Sequence, residues 1–375
     1  MTASALPQVT KPLISARGIT AAYVPDRGTQ VVAVDDVSID VHEGEIVGVA
    51  GESGCGKSTL GAVLSLNAVA PLHVLGGELE VDGAAVDLSN RKTPRSWRGR
   101  VVSLLPQGAL NSLSPTIRIR DFACDVVRAH DSKVKRSAAL EMTRARLEQL
   151  DLPGRVLDAY PHQLSGGMKQ RVVTVLSTLL EPRLLIADEP TSALDVSSQR
   201  VLVDMLREMV HREIISGVIF VTHDIPVLNT IADRIAIMYA GKIVEIAETR
   251  ELIDRPRHPY SAALLGSVLV PEPHVRRSRV LGIPGAPPNL VNPPTGCRFR
   301  PRCPLRMPEC ENDPPHAGDS FHFASCFWAE QHEGESAVPA LRAATEKMSA
   351  EEAIAIDAAT SAAAVGDAGT IEVER

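Results

Sequence analysis

No uninterrupted apolar run in these 375 residues approaches the ~18–20 that a helix needs to cross a bilayer, which leaves any membrane contact to a partner. A long basic block is also missing. Lys plus Arg number 39 against 46 Asp plus Glu, a formal net charge of −7, and that balance argues against nucleic-acid binding driven by phosphate neutralisation. One compact basic run, 91–100 (RKTPRSWRGR), reads as a solvated turn near a dimer or membrane-partner face. The opening stretch, MTASALPQVTKPLISARG, lacks the basic-then-apolar pattern of a secretory leader, so the chain is expected in the cytosol. Cysteine is sparse except in one place. Cys55 and Cys124 stand alone, while Cys297, Cys303, Cys310 and Cys326 crowd together. In a reducing compartment that crowding points to metal before disulfide.

What is present is enough for a sizeable core. Hydrophobic residues make up 44% of the chain, which excludes wholesale disorder, and the length suits two to three folding units. Val31–Val34 and Ser38–Val41 predict strands of a half-exposed antiparallel sheet, and 77–83 predicts another edge strand and turn. Glu45–Ala50 is a short, nearly continuous apolar run, the mark of a buried strand. From about 112 to 180 the pattern is helical, with Leu140, Leu147 and Leu150 near helical spacing. Further buried strands are expected at 183–188 and 217–222, with a helix at about 197–212 between them. Strands alternating with helices predict a partly parallel α/β core. Beyond about 250 prolines become dense and the chain is expected to be loop-rich; from 333 an Ala- and Glu-rich tail without aromatics predicts disorder or a fraying helix.

Gly51 to Thr59 (GESGCGKST) follows the predicted strand and precedes a helix-compatible run. Its glycines let successive backbone N–H groups turn towards phosphate oxygens, and a helix N-terminus adds positive potential. Lys57 supplies a charge to the β- and γ-phosphates, and the Ser58 hydroxyl suits Mg²⁺. Cys55 is a small residue tolerated in the loop. The apolar run Leu184–Ala187 ends in Asp188 and Glu189, of which the first suits Mg²⁺ through water and the second the attacking water. Ser165-Gly166-Gly167-Met168 opens another helix with exposed N–H groups, a second anion site. One nucleotide does not need two such sites in one subunit, so a dimer is expected.

On these motifs the chain resembles the nucleotide-binding subunit of an ATP-binding cassette (ABC) transporter. The resemblance implies a P-loop NTPase cassette of α/β class: a RecA-like mixed sheet core, an antiparallel β subdomain, an α-helical signature subdomain and a cysteine-rich C-terminal extension. It places Ser53, Gly54, Cys55, Gly56, Lys57, Ser58 and Thr59 in Walker A and Asp188 in Walker B. Glu189 falls at the catalytic base and Ser165, Gly166, Gly167 and Met168 in the signature motif that closes on ATP across a dimer. Gln107 would touch Mg²⁺ with Ser58 and Asp188 and sense the membrane partner. Asp195 would lie in the D-loop, His223 would contact the γ-phosphate, and Tyr23 would stand against adenine. A lone histidine is by default a core residue; its place after a buried strand, in the family's order, gives His223 the functional reading. Every catalytic position holds the expected residue type, so ATP hydrolysis is expected.

The stretch 107–115 (QGALNSLSP), the lead-in Tyr160-Pro161-His162-Gln163, the segments 238–245 and 257–260, and the blocks 283–288 and 294–304 resemble the oligopeptide and dipeptide importer branch, which also includes nickel importers. Gly108 stands where that branch usually carries an acid. The resemblance implies a second ATPase subunit, related or identical, two transmembrane permease subunits, an extracytoplasmic solute-binding protein, and a place on the cytoplasmic face of the membrane. The four cysteines are spaced C-x5-C-x6-C-x15-C, which is longer than zinc pairs favour and suits a [4Fe–4S] cluster, with Zn²⁺ and free thiols as alternatives. The branch implies the cluster as well. The expected organisation is a flexible 1–12, an ATPase domain at 13–250 with its helical part at about 108–180, the extension at 251–332 and the tail at 333–375. The rival reading is a soluble, non-transport ABC ATPase; such proteins usually carry two cassettes or a long coiled coil, and neither is present.

Overall fold

The computed structural model describes residues 11–88, 97–109, 112–267, 282–319 and 322–347. The chain opens with β1 (Ile14–Tyr23) and β2 (Val31–Val41), followed by β3 (Glu45–Ala50) and helix α1 (Lys57–Leu64). Next come β4 (Leu72–Val81), β5 (Ala84–Val86) and β6 (Val102–Leu105). A helical section holds α2 (Ile119–His130), α3 (Arg136–Gln149) and α4 (Gly166–Ser177). The chain then alternates through β7 (Leu184–Asp188), α5 (Val196–His211), β8 (Gly217–Val221), α6 (Ile225–Ile231), β9 (Arg234–Tyr239) and β10 (Lys242–Glu248). Helices α7 (Thr249–Asp254) and α8 (Pro259–Gly266), strands β11 (His316–Gly318) and β12 (Phe323–Ser325), and helices α9 (Phe327–Gln331) and α10 (Ala337–Lys347) complete it.

Two sheets result. The smaller is antiparallel, in the order β2-β1-β4-β5; the larger runs β11-β12-β10-β9-β3-β8-β7-β6, with β9, β3, β8, β7 and β6 parallel. The parallel strands are apolar almost throughout because both faces are covered. Ile46, Leu185, Val218, Phe220, Ile235 and Ile237 face the core shared with the helices. Their neighbours Val47, Val49, Ile186, Ile219, Val221 and Ala236 face the other way, onto α1 and the small sheet. This strict alternation is the period of two that a strand imposes. Helix α1 therefore lies between two sheets, with Leu60, Val63 and Leu64 packed against Ile14, Ile19 and Val34 on one side and Val47 and Ile186 on the other.

Three expectations change. Residues 77–81 belong to an inner strand, because β4 pairs with both β1 and β5, and 82–83 form the expected turn. Val31–Val34 and Ser38–Val41 are one strand, bent where Asp36 takes a left-handed backbone (φ 53) and donates its N–H to Thr20 Oγ1. The tail from 333, expected as disorder or a fraying helix, is helical at Ala337–Lys347 (α10) and docked there, with Ala337 and Leu341 buried against Ala262 and Ala263 of α8. Alanine favours helix, and this short apolar stripe found a groove that composition does not reveal. The expectations for residues 1–10 and 348–375 lie outside the described residues, as do residues 91–96 of the basic run.

The loop-rich character beyond 250 is borne out at 282–315, which holds only short helical turns at Arg300–Arg302 and Pro308–Glu311. It is not a loose appendage, however. β12 pairs with β10 through Glu245↔Ala324 and Ile246↔Phe323 and so extends the main sheet. The fully buried Glu245 carboxylate accepts from the N–H groups of Arg257 and His258 and bonds His322 Nε2 at 2.7 Å. His258 Nδ1 accepts the Tyr260 N–H and caps α8, and burial drives the ring's pKa down to about 4, so it is neutral at physiological pH. The boundary expected at 250/251 is thus bridged by packing and by a buried polar network.

Candidate active site

The loop 51–56 leaves the C-terminal end of β3, the end of a parallel sheet at which α/β folds place ligands. Gly56, at φ 106, directly precedes α1. Side chains of Ser53 and Ser58 and the backbone of Gly54 are exposed at the mouth, whereas Cys55, Lys57 and Thr59 are buried. Lys57 Nζ curls back to donate to the carbonyls of Gly51 (2.7 Å) and Glu52 (2.9 Å). The Cys55 thiol is pushed up by burial and stays neutral, in keeping with a packing role. Tyr23 is 37% exposed, and its hydroxyl lies 3.1 Å from Thr59 Oγ1, beside the helix that follows the loop.

Strand register brings the acids alongside. Asp188 closes β7 and pairs with Val221 of β8, so Glu189 and His223 leave adjacent strands at the same edge. Ser58 Oγ donates to Asp188 Oδ1 at 3.1 Å, joining the phosphate loop to the strand end; burial raises the Asp188 pKa against that hydrogen bond. Glu189 has a left-handed backbone (φ 49), held by its N–H on the Val221 carbonyl (2.9 Å). One carboxylate oxygen bonds His223 Nδ1 at 2.9 Å; the other is buried without a partner. An orphaned acceptor at that place suits a water or hydroxyl group brought by a ligand. Gln107 is exposed, two residues beyond Leu105, which pairs with Ala187. It thus lies in the turn that follows β6, the strand next to the one that Asp188 ends.

The remaining predicted residues form a second constellation. Ser165 Oγ accepts the Met168 N–H and caps α4. Gly167 lies against α5 so closely that a Cβ there would stand 2.6 Å from Ser198 Oγ. Asp195 caps α5 by accepting from Ser198 N and from the Ser197 and Ser198 hydroxyls, which holds its carboxyl well below the usual carboxylate range. The Ser165–Met168 turn and the Asp195-capped start of α5 therefore lie side by side. Ser192 links Glu189 to this region, its hydroxyl donating to the Glu189 carbonyl at 3.0 Å.

Residues 34–192 match the ABC transporter family model, and 244–310 match that of the oligopeptide/dipeptide transporter C-terminal region. A dipeptide transport ATP-binding protein DppD of Caldanaerobacter subterraneus subsp. tengcongensis is 38% identical over 81% of this chain and 92% of its own. The DppD of Bacillus subtilis is 36% identical over 87% of this chain and 97% of its own. The chain belongs to the ABC transporter family. A probable D,D-dipeptide transport ATP-binding protein of Escherichia coli K12 is 37% identical over 86% of this chain and 98% of its own. The dimeric bacterial ABC transporter cassette MJ0796 shares the fold, with a TM-score of 0.53 at 23% identity, covering 63% of this chain and 99% of that one. Like its family, the ABC subunit is an ATPase, and among its described residues no helix is long and apolar enough to cross a membrane.

The ABC subunit keeps Cys297, Cys303, Cys310 and Cys326 buried and unpaired. Burial pushes the thiols of Cys297, Cys303 and Cys326 up, that of Cys326 to about 12. Backbone bonds hold the segment together, the Arg300 N–H donating to the Cys297 carbonyl (2.9 Å) and the Cys297 N–H to the Cys310 carbonyl (3.0 Å). Yet among the described residues no three His, Cys, Asp or Glu side chains stand in an arrangement that could hold a metal ion. The donor set suits a thiolate-bound group; the side-chain placement is that of packed thiols. Cys124 is a buried residue of α2.

Sequence reasoning missed Glu52, Tyr260 and Arg302. Glu52 N–H donates to Tyr260 Oη at 2.9 Å, and the Arg302 guanidinium bonds both Glu52 carboxylate oxygens, at 2.6 and 3.0 Å. No local pattern could have found a contact spanning 250 positions.

Proposed function

We propose that this ABC subunit powers a membrane importer of di- and oligopeptides, working as one of two ATPase chains beneath two permease subunits fed by an extracytoplasmic solute-binding protein. The match of 244–310 to the oligopeptide/dipeptide transporter C-terminal region carries this reading, and the similarity to dipeptide transport ATP-binding proteins supports the cargo. A cavity of about 280 Å³ near Gln107, lined by Leu104, Pro106, Leu113, Phe122, Val126 and His130, suits a partner segment at the place from which Gln107 would sense it.

The phosphate loop binds the ATP phosphates, and Lys57 exchanges its two carbonyl partners for phosphate oxygens. Tyr23 lies against the base. Glu189 orients and polarises the attacking water through its unpartnered oxygen, while His223 fixes that carboxylate and reaches the γ-phosphate. Ser58, Asp188 and Gln107 would hold Mg²⁺, and the Ser58–Asp188 pair, with its acid destabilised by burial, fits a cation between them. When bound, the ion neutralises charge developing on the phosphates. The Ser165–Met168 turn and Asp195 face the ATP of a second chain, so that each nucleotide is closed by both. ATP favours the closed dimer and hydrolysis releases it.

Reconstitution tests the reading. With permeases and binding protein in vesicles, ATP turnover is expected to rise when the binding protein carries a dipeptide and not when it is offered nickel. Stimulation by nickel alone would reassign the cargo. Recovery of the chain from cell extract with ribosomes and without integral membrane proteins would overturn the transport role.

On donor chemistry alone the four cysteines would hold a [4Fe–4S] cluster, with Zn²⁺ the alternative, once their side chains leave the packed placement, and the bound group would pin a segment poor in apolar residues. Anaerobically purified protein is expected to be coloured and to contain iron and sulfide in equal amounts, both lost in Cys303→Ser. Colourless protein with zinc would move the assignment to the alternative, and metal-free protein would leave four packed thiols.

A further inference from the structure

The phosphate loop carries an acid of its own. Glu52 belongs to a loop whose task is to attract a polyanion, and an unneutralised carboxylate there opposes that task. Its partner comes from the far end of the chain. Arg302 is 2% exposed and all its donors are engaged. Nε donates to the Pro284 carbonyl (2.7 Å). One terminal nitrogen donates to Glu52 Oε2 and Tyr239 Oη, and the other to Glu52 Oε1 and the Gly285 carbonyl (3.0 Å). The guanidinium is thus locked to the extension on one side and offered as a planar fork to the loop on the other, the geometry in which arginine binds a carboxylate best. Phe299, three residues before, packs against Tyr239 and Tyr260 (ring centroids 5.3 Å from each), and Tyr260 Oη in turn accepts the Glu52 N–H. Side chain and backbone of one phosphate-loop residue are therefore both fixed by elements beyond 238.

Building on the ATP-site reading, we propose that Arg302 is a positioning residue of the nucleotide site. It neutralises Glu52 and holds it aside, so the loop keeps its phosphate-receptive curve. Through this clasp the packing around Cys303, the next residue, and nucleotide binding become mutually dependent. Linkage makes that dependence reciprocal: whatever loosens the extension weakens nucleotide binding, and bound nucleotide tightens the extension.

Binding of the non-hydrolysable analogue AMP-PNP to the full chain tests this. Arg302→Gln is expected to weaken it about tenfold, within the usual range of coupling between linked sites, and to raise the ATP KM of the assembled transporter while sparing kcat. The double variant Glu52→Gln/Arg302→Gln is expected to recover most of the lost affinity, because the stranded carboxylate is gone; Arg302→Lys falls between. Arg300→Ala, which removes the surface contact with Glu311, leaves affinity unchanged. In the unmodified chain, saturating AMP-PNP slows amide exchange at Arg302 and Cys303. Wild-type affinity in a folded Arg302→Gln, a double variant no better than the single, or unaltered exchange would each overturn the proposal. Wild-type protein that binds no AMP-PNP would instead sink the ATP-site reading itself.

Discussion

Replacing Glu189 by Gln is expected to lower ATP turnover by roughly 10³-fold, in the range for loss of a general base, and to leave ATP binding intact. The substitution keeps size and a carbonyl oxygen for His223 Nδ1, so the contact that fixes the side chain survives. What disappears is the ability of the second, unpartnered oxygen to draw a proton from water. Glu189 reaches this place only because Asp188 ends a strand and the next backbone turns left-handed at φ 49, anchored on Val221. The measurement is steady-state phosphate release by the reconstituted transporter, beside binding of labelled ATP by the same variant. Turnover within tenfold of wild type would remove Glu189 from the mechanism. Loss of binding along with turnover would show a structural role for the residue.

The second large effect is expected at Gly56. A Cβ added there would stand 2.1 Å from the Ala33 carbonyl oxygen, which is backbone of β2 and has no freedom to swing away. The residue also holds φ 106, outside what a side chain tolerates. Gly56→Ala is therefore expected to cost at least about 4 kcal/mol of stability, the range reserved for clash combined with strain, and to abolish nucleotide binding where the chain still folds. Cys55→Ala, one position earlier, trims a packed sulfur and leaves the backbone alone; about 1 kcal/mol is expected. Chemical denaturation of the two variants decides between a requirement of the backbone and a requirement of the loop in general. Equal losses would refute the steric account.

These two sites mark how far the sequence could be read. The phosphate loop was legible because its determinants are contiguous: a buried apolar strand, glycines where the backbone must curl, a lysine and a hydroxyl. Asp188 and Glu189 were legible because they terminate an apolar run. Of the parallel strands, β3, β7 and β8 came within a residue of the predicted positions, since burial on both faces leaves a continuous apolar signature, whereas β6 and β9 went unread. By contrast β11 and β12 have three residues each and no periodicity to detect; they are strands because β10 offers an edge. The same holds for α10, whose docking groove is made by α8. The Arg302–Glu52 fork is wholly tertiary. A basic residue in a Pro- and Cys-rich stretch is unremarkable until the chain has folded back on its own nucleotide loop.

The placement of α1 between two sheets carries a mechanical consequence. Six of its eight residues are buried, so the helix has nowhere to recoil when phosphates dock against its N-terminus. It behaves as an abutment. The helical section containing α2, α3 and α4 is joined to the sheet through the segments after β6 and before β7, with Ser103 Oγ bonded to the Ser177 carbonyl near that junction. A push at the nucleotide is therefore expected to pass round α1 rather than through it, and amide exchange is expected to change on ATP binding in α2 to α4 more than in α1.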